Sequence, residues 1–230
     1  MNTKIFKKIN QMVKDSPQLL LDNDALKFAI SGEFCINITQ PFTKIVDLVN
    51  EVDVAVMEKY FSEVWQPETK KYKYSGLSII DDVNALNPYN VLDIGCGYNE
   101  FKGKIQNLTG IDPYNERADH MIRTLDYQTD IKYDVAICLG SINFGSTDKI
   151  ITELQKAVSL TKKGGILIFR ANPGIQHKAF ESQWIDFFDW DTTFIMNSAQ
   201  ALNCTVKKLH RDIPKNALNG GRFYFVLEKN

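Results

Sequence analysis

Apolar residues recur in two different rhythms along this chain, and the change from one to the other falls near residue 75. Before it the spacing is helical. Ile5, Ile9, Met12 and Val13 stand three or four apart, after an Asn2–Thr3 pair suited to capping a helix start. Ile45, Val49, Val52 and Val56 repeat the spacing, with Val46, Leu48, Met57 and Phe61 beside them. They predict one or two further helices beginning near Thr43. Pro67 interrupts this pattern, and the charged stretch Glu68 to Lys73 follows as a boundary. Residues 1–75 therefore read as an N-terminal helical extension, and residues 76–230 as the main domain.

Beyond the boundary, short apolar runs alternate with helical ones. Gly76 to Leu86 reads as a helix stopped by Asn87–Pro88. Val91 to Ile94, Leu108 to Ile111, Met121 to Leu125, Asp134 to Leu139 and Ile166 to Phe169 read as strands. Ser146 or Thr147 opens a helix with Ile150, Ile151, Leu154, Ala157, Val158 and Leu160 on one face, ended by Gly164–Gly165. A helix over Thr192 to Leu202 precedes a strand at Thr205 to His210. The turn Asn219-Gly220-Gly221 then leads into a final strand, Arg222 to Leu227. Strands alternating with helices predict a parallel sheet covered on both faces. The last two strands lack a helix between them, so an antiparallel final strand is expected. The fold class predicted is α/β: a doubly wound, mostly parallel seven-stranded sheet with an antiparallel last strand.

Composition narrows the partners. Lys and Arg total 27 against 28 Asp and Glu in 230 residues, a net charge of -1. A nucleic-acid-binding domain usually shows a basic excess, and this chain has none. The cysteines Cys35, Cys96, Cys138 and Cys204 include no Cys-x-x-Cys pair, so no zinc site is predicted. The first residues mix Lys4, Lys7, Lys8 and Lys14 with apolar ones and lack a signal-peptide core. No run approaches the roughly 20 apolar residues of a membrane span. The expectation is a cytoplasmic protein without a membrane partner.

The chemistry concentrates at Val91-Leu92-Asp93-Ile94-Gly95-Cys96-Gly97. A buried strand carries an acid and runs into Gly-x-Gly, the arrangement of a nucleotide-type site at a strand's carboxyl end. Glycine there admits a close backbone approach. A second acid, Asp112, ends the next strand, before Pro113. The motif resembles that of class I S-adenosylmethionine-dependent methyltransferases. The resemblance spans about residues 75 to 230. It is carried also by Gly110-Ile111-Asp112, Tyr133-Asp134-Val135 and Lys162-Lys163-Gly164-Gly165-Ile166-Leu167-Ile168. A dinucleotide fingerprint would place a third glycine where Glu100 stands.

The resemblance implies S-adenosylmethionine as cofactor, S-adenosylhomocysteine as product, and a set of roles. Asp93, Gly95, Cys96 and Gly97 line the methionine and ribose part. Asp112, with Pro113, takes the ribose hydroxyls. Asp126, or else Asp130, approaches the adenine amino group. Leu139 and Gly140 pass near the methionine amino group and the methyl, and Tyr74 reaches the methionine carboxylate. Blander readings stand beside these: Asp112 as a turn residue before Pro113, and Asp126 as a solvated turn acid. His120, His177 and His210 read as structural or surface residues. Trp184, Phe187, Phe188 and Trp190 read as core. Lys70 to Tyr74 reads as a solvated linker rather than a nucleic-acid groove.

The chain departs from the family in a short helix after Gly97 and in a reduced third crossover. It also carries Gly140-Ser141-Ile142-Asn143-Phe144-Gly145 where many members have an acid–histidine pair, so no catalytic residue is assigned. Methyl transfer needs a base only if the acceptor must lose a proton. The motifs of DNA amino- and cytosine-methylating enzymes are absent after the fourth predicted strand. A small molecule or protein acceptor is therefore expected, selected by the N-terminal helices. The rival reading is a non-catalytic cofactor-binding or assembly module, and an aminopropyltransferase is a third.

Overall fold

The computed structural model describes residues 1–68, 70–213 and 221–230. Of the expected turn Asn219-Gly220-Gly221, the first two residues lie outside the described residues. The chain forms two compact units. One is Met1–Trp65 with Gln176–Asp186, the other Gln66–Ile175 with Phe187–Asn230.

The first unit is helical: α1 (Thr3–Asp15), α2 (Asn23–Phe34) and α3 (Ile45–Lys59), the last running into a wider turn, Tyr60–Val64. Asn2 caps α1, its side-chain oxygen accepting from the amides of Lys4 (3.0 Å) and Ile5 (3.2 Å). Its amide nitrogen donates to Asp53 (2.7 Å) and to the Trp184 carbonyl (2.8 Å). Ile5, Ile9, Val49 and Val52 are fully buried, as their spacing predicts. Helix α2 is not among the predicted elements. Its buried stripe, Leu26, Ile30 and Phe34, follows a regular four-residue spacing, and Asp22 caps it. The segment 176–186 closes this unit: the Trp184 ring packs on Phe34 at 4.7 Å, Lys4 donates to the Ile185 carbonyl, and the Tyr60 hydroxyl meets His177 Nδ1 at 2.7 Å.

The second unit is a six-stranded α/β sheet. Its elements are α4 (Ile80–Ala85), β1 (Val91–Ile94), β2 (Leu108–Ile111), β3 (Tyr133–Cys138), α5 (Thr147–Leu160), β4 (Thr161–Ala171), α6 (Thr192–Ala201), β5 (Cys204–Asp212) and β6 (Arg222–Lys229). The strand order is β2-β1-β3-β4-β6-β5. Neighbours among β2, β1, β3 and β4 run parallel, and β6 is antiparallel to both β4 and β5, as predicted. Asp93 in β1 sits in register between Gly110 of β2 and Ile137 of β3. One face of the sheet packs Ile150, Leu154 and Ala157 of α5 with Ile195 and Ala199 of α6 against Leu92, Ala136, Leu167 and Phe225. The other packs Val83 of α4, Ile79, Phe101 and Ile105 against Val91, Val135, Ile137 and Ile168. Among the described residues, no helix is long and apolar enough to cross a membrane.

The sheet corrects the prediction in its strand count. Met121 to Leu125 is not a strand. Met121 and Leu125 are 61% and 39% exposed, so the segment leaves much of its apolar surface unburied. Instead the chain folds back beside β2. The amides of Asp119 and His120 bond the Gly110 carbonyl, and a single parallel bridge joins Ile111 to His120. The short helix expected after Gly97 is replaced by turns, where Asn99 and Gly103 adopt positive φ of 53° and 77°. Gly164–Gly165 does not end α5. That helix stops at Leu160, where Thr161 Oγ1 bonds the Ala157 carbonyl, and the glycines lie within a bulged start of β4.

Candidate active site at the carboxyl ends of β1, β2 and β3

The turn after β1 is fastened to β2. The amides of Gly95 and Cys96 both donate to the Ile111 carbonyl, at 2.8 and 3.0 Å. Gly95 and Gly97 have φ of 69° and 52°, a region that side chains with a Cβ adopt at a cost. At Gly95 a Cβ would lie 2.1 Å from the Ser141 Cβ, so the missing side chain makes room for protein as well as for any ligand. Ser141 Oγ donates to the Ile94 carbonyl at 2.5 Å and ties the end of β3 to the end of β1. At Gly110 a Cβ would meet Asn99 Oδ1 at 2.7 Å and Cys96 Sγ at 2.9 Å, so the turn presses directly on β2. Cys96 thus faces β2. Burial, then the charges of Asp93, Asp112 and Asp119, hold its thiol far above the ordinary range, in the neutral form.

Asp112 braces the turn. Its Oδ2 accepts from the Gly97 amide (3.0 Å), and its Oδ1 from the amides of Tyr114 (2.8 Å) and Asn115 (3.0 Å). A carboxylate oxygen offers two lone pairs, so Oδ1 is filled by these protein bonds and Oδ2 keeps one free. Burial raises the Asp112 pKa against the pull of these three amides. Asp93 is 3% exposed, and burial, then the Asp112 charge, push its pKa up to about 8. No cation pairs with either acid among the described residues.

At the end of β3, Gly140 has φ of 115° and its carbonyl accepts from Asn143 Nδ2 at 2.8 Å. Asn143 Oδ1 accepts from the Asn172 amide, just beyond β4, at 2.9 Å. The Leu139 carbonyl accepts from Arg170 Nη2 at 2.9 Å.

The fold therefore gathers Asp93, Gly95, Cys96, Gly97, Asp112, Pro113, Leu139 and Gly140 at one edge of the sheet. Tyr74 is elsewhere. Its ring lies 5.3 Å from His210 and 6.2 Å from Tyr224, and its amide bonds Asp212. Asp126 and Asp130 are both exposed, Asp126 in a turn closed on the Arg123 carbonyl. Ser141, Asn143 and Arg170 were not singled out as site residues. Arg170 carried a signal: a charged residue near the end of the apolar run Ile166 to Phe169.

This arrangement is the fold of class I S-adenosylmethionine-dependent methyltransferases. The chain is similar in structure to the 1,6-didemethyltoxoflavin-N1-methyltransferase of Burkholderia thailandensis, solved with 1,6-didemethyltoxoflavin and S-adenosylhomocysteine. The match has a TM-score of 0.59 at 15% identity and covers 84% of this chain and 93% of that one. It is also similar to CalS10, an amino pentose methyltransferase from Micromonospora echinaspora solved with S-adenosylmethionine. There the TM-score is 0.51 at 11% identity, over 84% of this chain and 100% of that one. No family model matches the chain, and no curated protein matches it.

Proposed function

We propose that the chain is an S-adenosylmethionine-dependent methyltransferase whose acceptor is a small molecule or a protein side chain rather than DNA. The observation that carries the reading is the pair of carboxyl groups, Asp93 and Asp112, held beneath a glycine turn with no protein cation paired to either among the described residues. A buried anion seeks a counter-charge or donors. S-adenosylmethionine brings both, in a sulfonium, an ammonium and two ribose hydroxyls, and its chemistry is an electrophilic methyl on sulfur. In the solved structures named above, the corresponding fold holds that cofactor or its product.

The chain's own residues then divide the work. The free lone pair of Asp112 Oδ2 accepts a hydroxyl. Asp93, which holds a proton in the ligand-free fold at neutral pH, supplies negative charge once a cationic ligand displaces that proton. Gly97 leaves the backbone bare beside the Asp112 carboxylate. Leu139 and Gly140 form the floor on the acceptor side. Much of the catalysis in such a displacement comes from holding the two reactants in line, which asks for rigid walls more than for a base. The ties through Ser141 and Asn143 supply that rigidity. The four free cysteines suit a reducing compartment, and the cytoplasm is the location we propose.

The test is calorimetric binding of S-adenosylmethionine and S-adenosylhomocysteine to the wild type and to Asp112→Ala. We expect dissociation constants of about 1–100 µM for the wild type and a loss of at least about tenfold in the variant. A folded wild type that binds neither ligand at millimolar concentration would overturn the proposal.

A further inference from the structure

One partly buried cation at this edge of the sheet forms no ion pair among the described residues. Arg170 is the penultimate residue of β4. Its guanidinium lies over the Tyr72 ring, 4.3 Å from the centroid, and Nη2 donates to the Leu139 carbonyl. Nη1 is shut away from solvent and has no hydrogen-bond partner among the described residues. Burial lowers the Arg170 pKa, and the neighbouring Arg222 guanidinium lowers it further. The acids close enough to act on it are Glu68 and Asp212. Both are engaged elsewhere. Glu68 accepts from Lys71 (2.7 Å) and from the Tyr72 hydroxyl (3.2 Å). Asp212 accepts from the amides of Lys73 (3.0 Å) and Tyr74 (3.1 Å) and from the Ser75 hydroxyl (2.5 Å). Arg222 is occupied by Asn172.

A buried guanidinium with an unmade N–H and no paired acid is costly, and it suits a site that receives an anion from outside. Its place agrees. A Cβ on Gly140 would lie 3.7 Å from Nη2, so the guanidinium stands beside the end of β3. Ligands of open α/β sheets bind at these carboxyl ends. The acids Asp93 and Asp112 belong to the other side of β3, around β1 and β2. The sheet edge is thus polarised, negative where a cationic cofactor would lie and positive one strand beyond.

We propose that Arg170 anchors a carboxylate of the methyl acceptor, which makes the acceptor a small organic acid. The inference rests on the methyltransferase reading above. Guanidinium is the side chain best matched to a carboxylate, and the Tyr72 ring and Leu139 carbonyl hold it in one orientation.

The test titrates the wild type, saturated with S-adenosylhomocysteine, with acetate and benzoate replacing chloride at constant ionic strength. Calorimetry reads the affinity, and the guanidinium NMR signals of Arg170 read the site directly. We expect saturable binding that shifts the Arg170 signal and weakens at least about tenfold in Arg170→Gln, with S-adenosylhomocysteine affinity kept within about threefold. Arg170→Lys keeps the charge without the planar fork and should show an intermediate loss, so a poorly folding Gln variant does not remove the test. Carboxylate binding that is absent, or equal in all three proteins, overturns the proposal. So does a loss of S-adenosylhomocysteine affinity in Arg170→Gln with unchanged affinity for 5′-methylthioadenosine, which lacks the amino-acid part. In that case Arg170 serves the cofactor's own carboxylate. If the wild type binds no S-adenosylhomocysteine, the methyltransferase reading fails on its own evidence. The same titration of the ligand-free protein then shows whether Arg170 still takes a carboxylate, without a methyl acceptor to assign it to.

Discussion

At the scale of single residues, Asp93 makes the folded protein sensitive to pH. Its pKa is about 8 in the fold against an ordinary 3.8, so between these values the folded chain holds a proton that the unfolded chain has released. The corresponding stability is complete below pH 3.8 and is lost as pH climbs through 8. The slope from this one group is about 1.4 kcal/mol per pH unit. Urea unfolding of the ligand-free protein from pH 5 to 8 should therefore show stability falling with pH, and Asp93→Asn should flatten the fall. Equal slopes in the two proteins would show that Asp93 is ionised in the fold. Gly95 offers a second check. Gly95→Ala should cost about 3 kcal/mol, from the positive φ and the collision with Ser141. Ser141→Gly in the same chain should recover only the steric share, and a double-mutant cycle measures the split. These residues were legible because the motif is local: strand, acid and glycines fall within seven positions. Arg170 was harder to read, because its meaning depends on Leu139, Tyr72 and Asp212, which come from separate parts of the chain.

At the scale of elements, the loop after β3 works as a clasp. Asn143 bonds the Gly140 carbonyl and the Asn172 amide, and its own carbonyl accepts from the Phe188 amide at 2.8 Å. Asn143→Ala leaves two backbone groups unpaired in a buried place, at a cost of about 2–4 kcal/mol in urea unfolding. A change under about 0.5 kcal/mol would mean that water replaces both bonds. The sequence shows Gly-Ser-Ile-Asn-Phe here only as a departure from the family. The structure explains Ser141 and Asn143 as ties between strand ends. The strands β1, β3 and β4 were legible as apolar runs because both faces of the sheet are covered. The absent edge strand was not legible: whether Met121 to Leu125 pairs depends on what lies beside β2, and there the returning turn takes that place. Helix α2 escaped the sequence reading: Leu26, Ile30 and Phe34 carry a helical spacing, but Ser31 and Gly32 dilute the signal.

At the scale of the whole molecule, the first unit is assembled from distant parts of the sequence. Asn2 bonds Trp184 across 182 positions, a pairing no periodicity reveals. Ile185 is fully buried. Ile185→Ala should cost about 2–5 kcal/mol, and amide exchange should quicken in α1 and α3 while the amides of β3 and β4 stay protected. Equal quickening in both units would mean that they unfold as one. The same arrangement sets an order of events at the ribosome. Helices α1 to α3 are translated before the residues that close them, which arrive after most of the sheet-forming chain has been made. At the usual 5–20 residues per second, that wait lasts roughly ten seconds. For that interval Phe34 lacks its Trp184 partner, and helices already made become the part most in need of a chaperone.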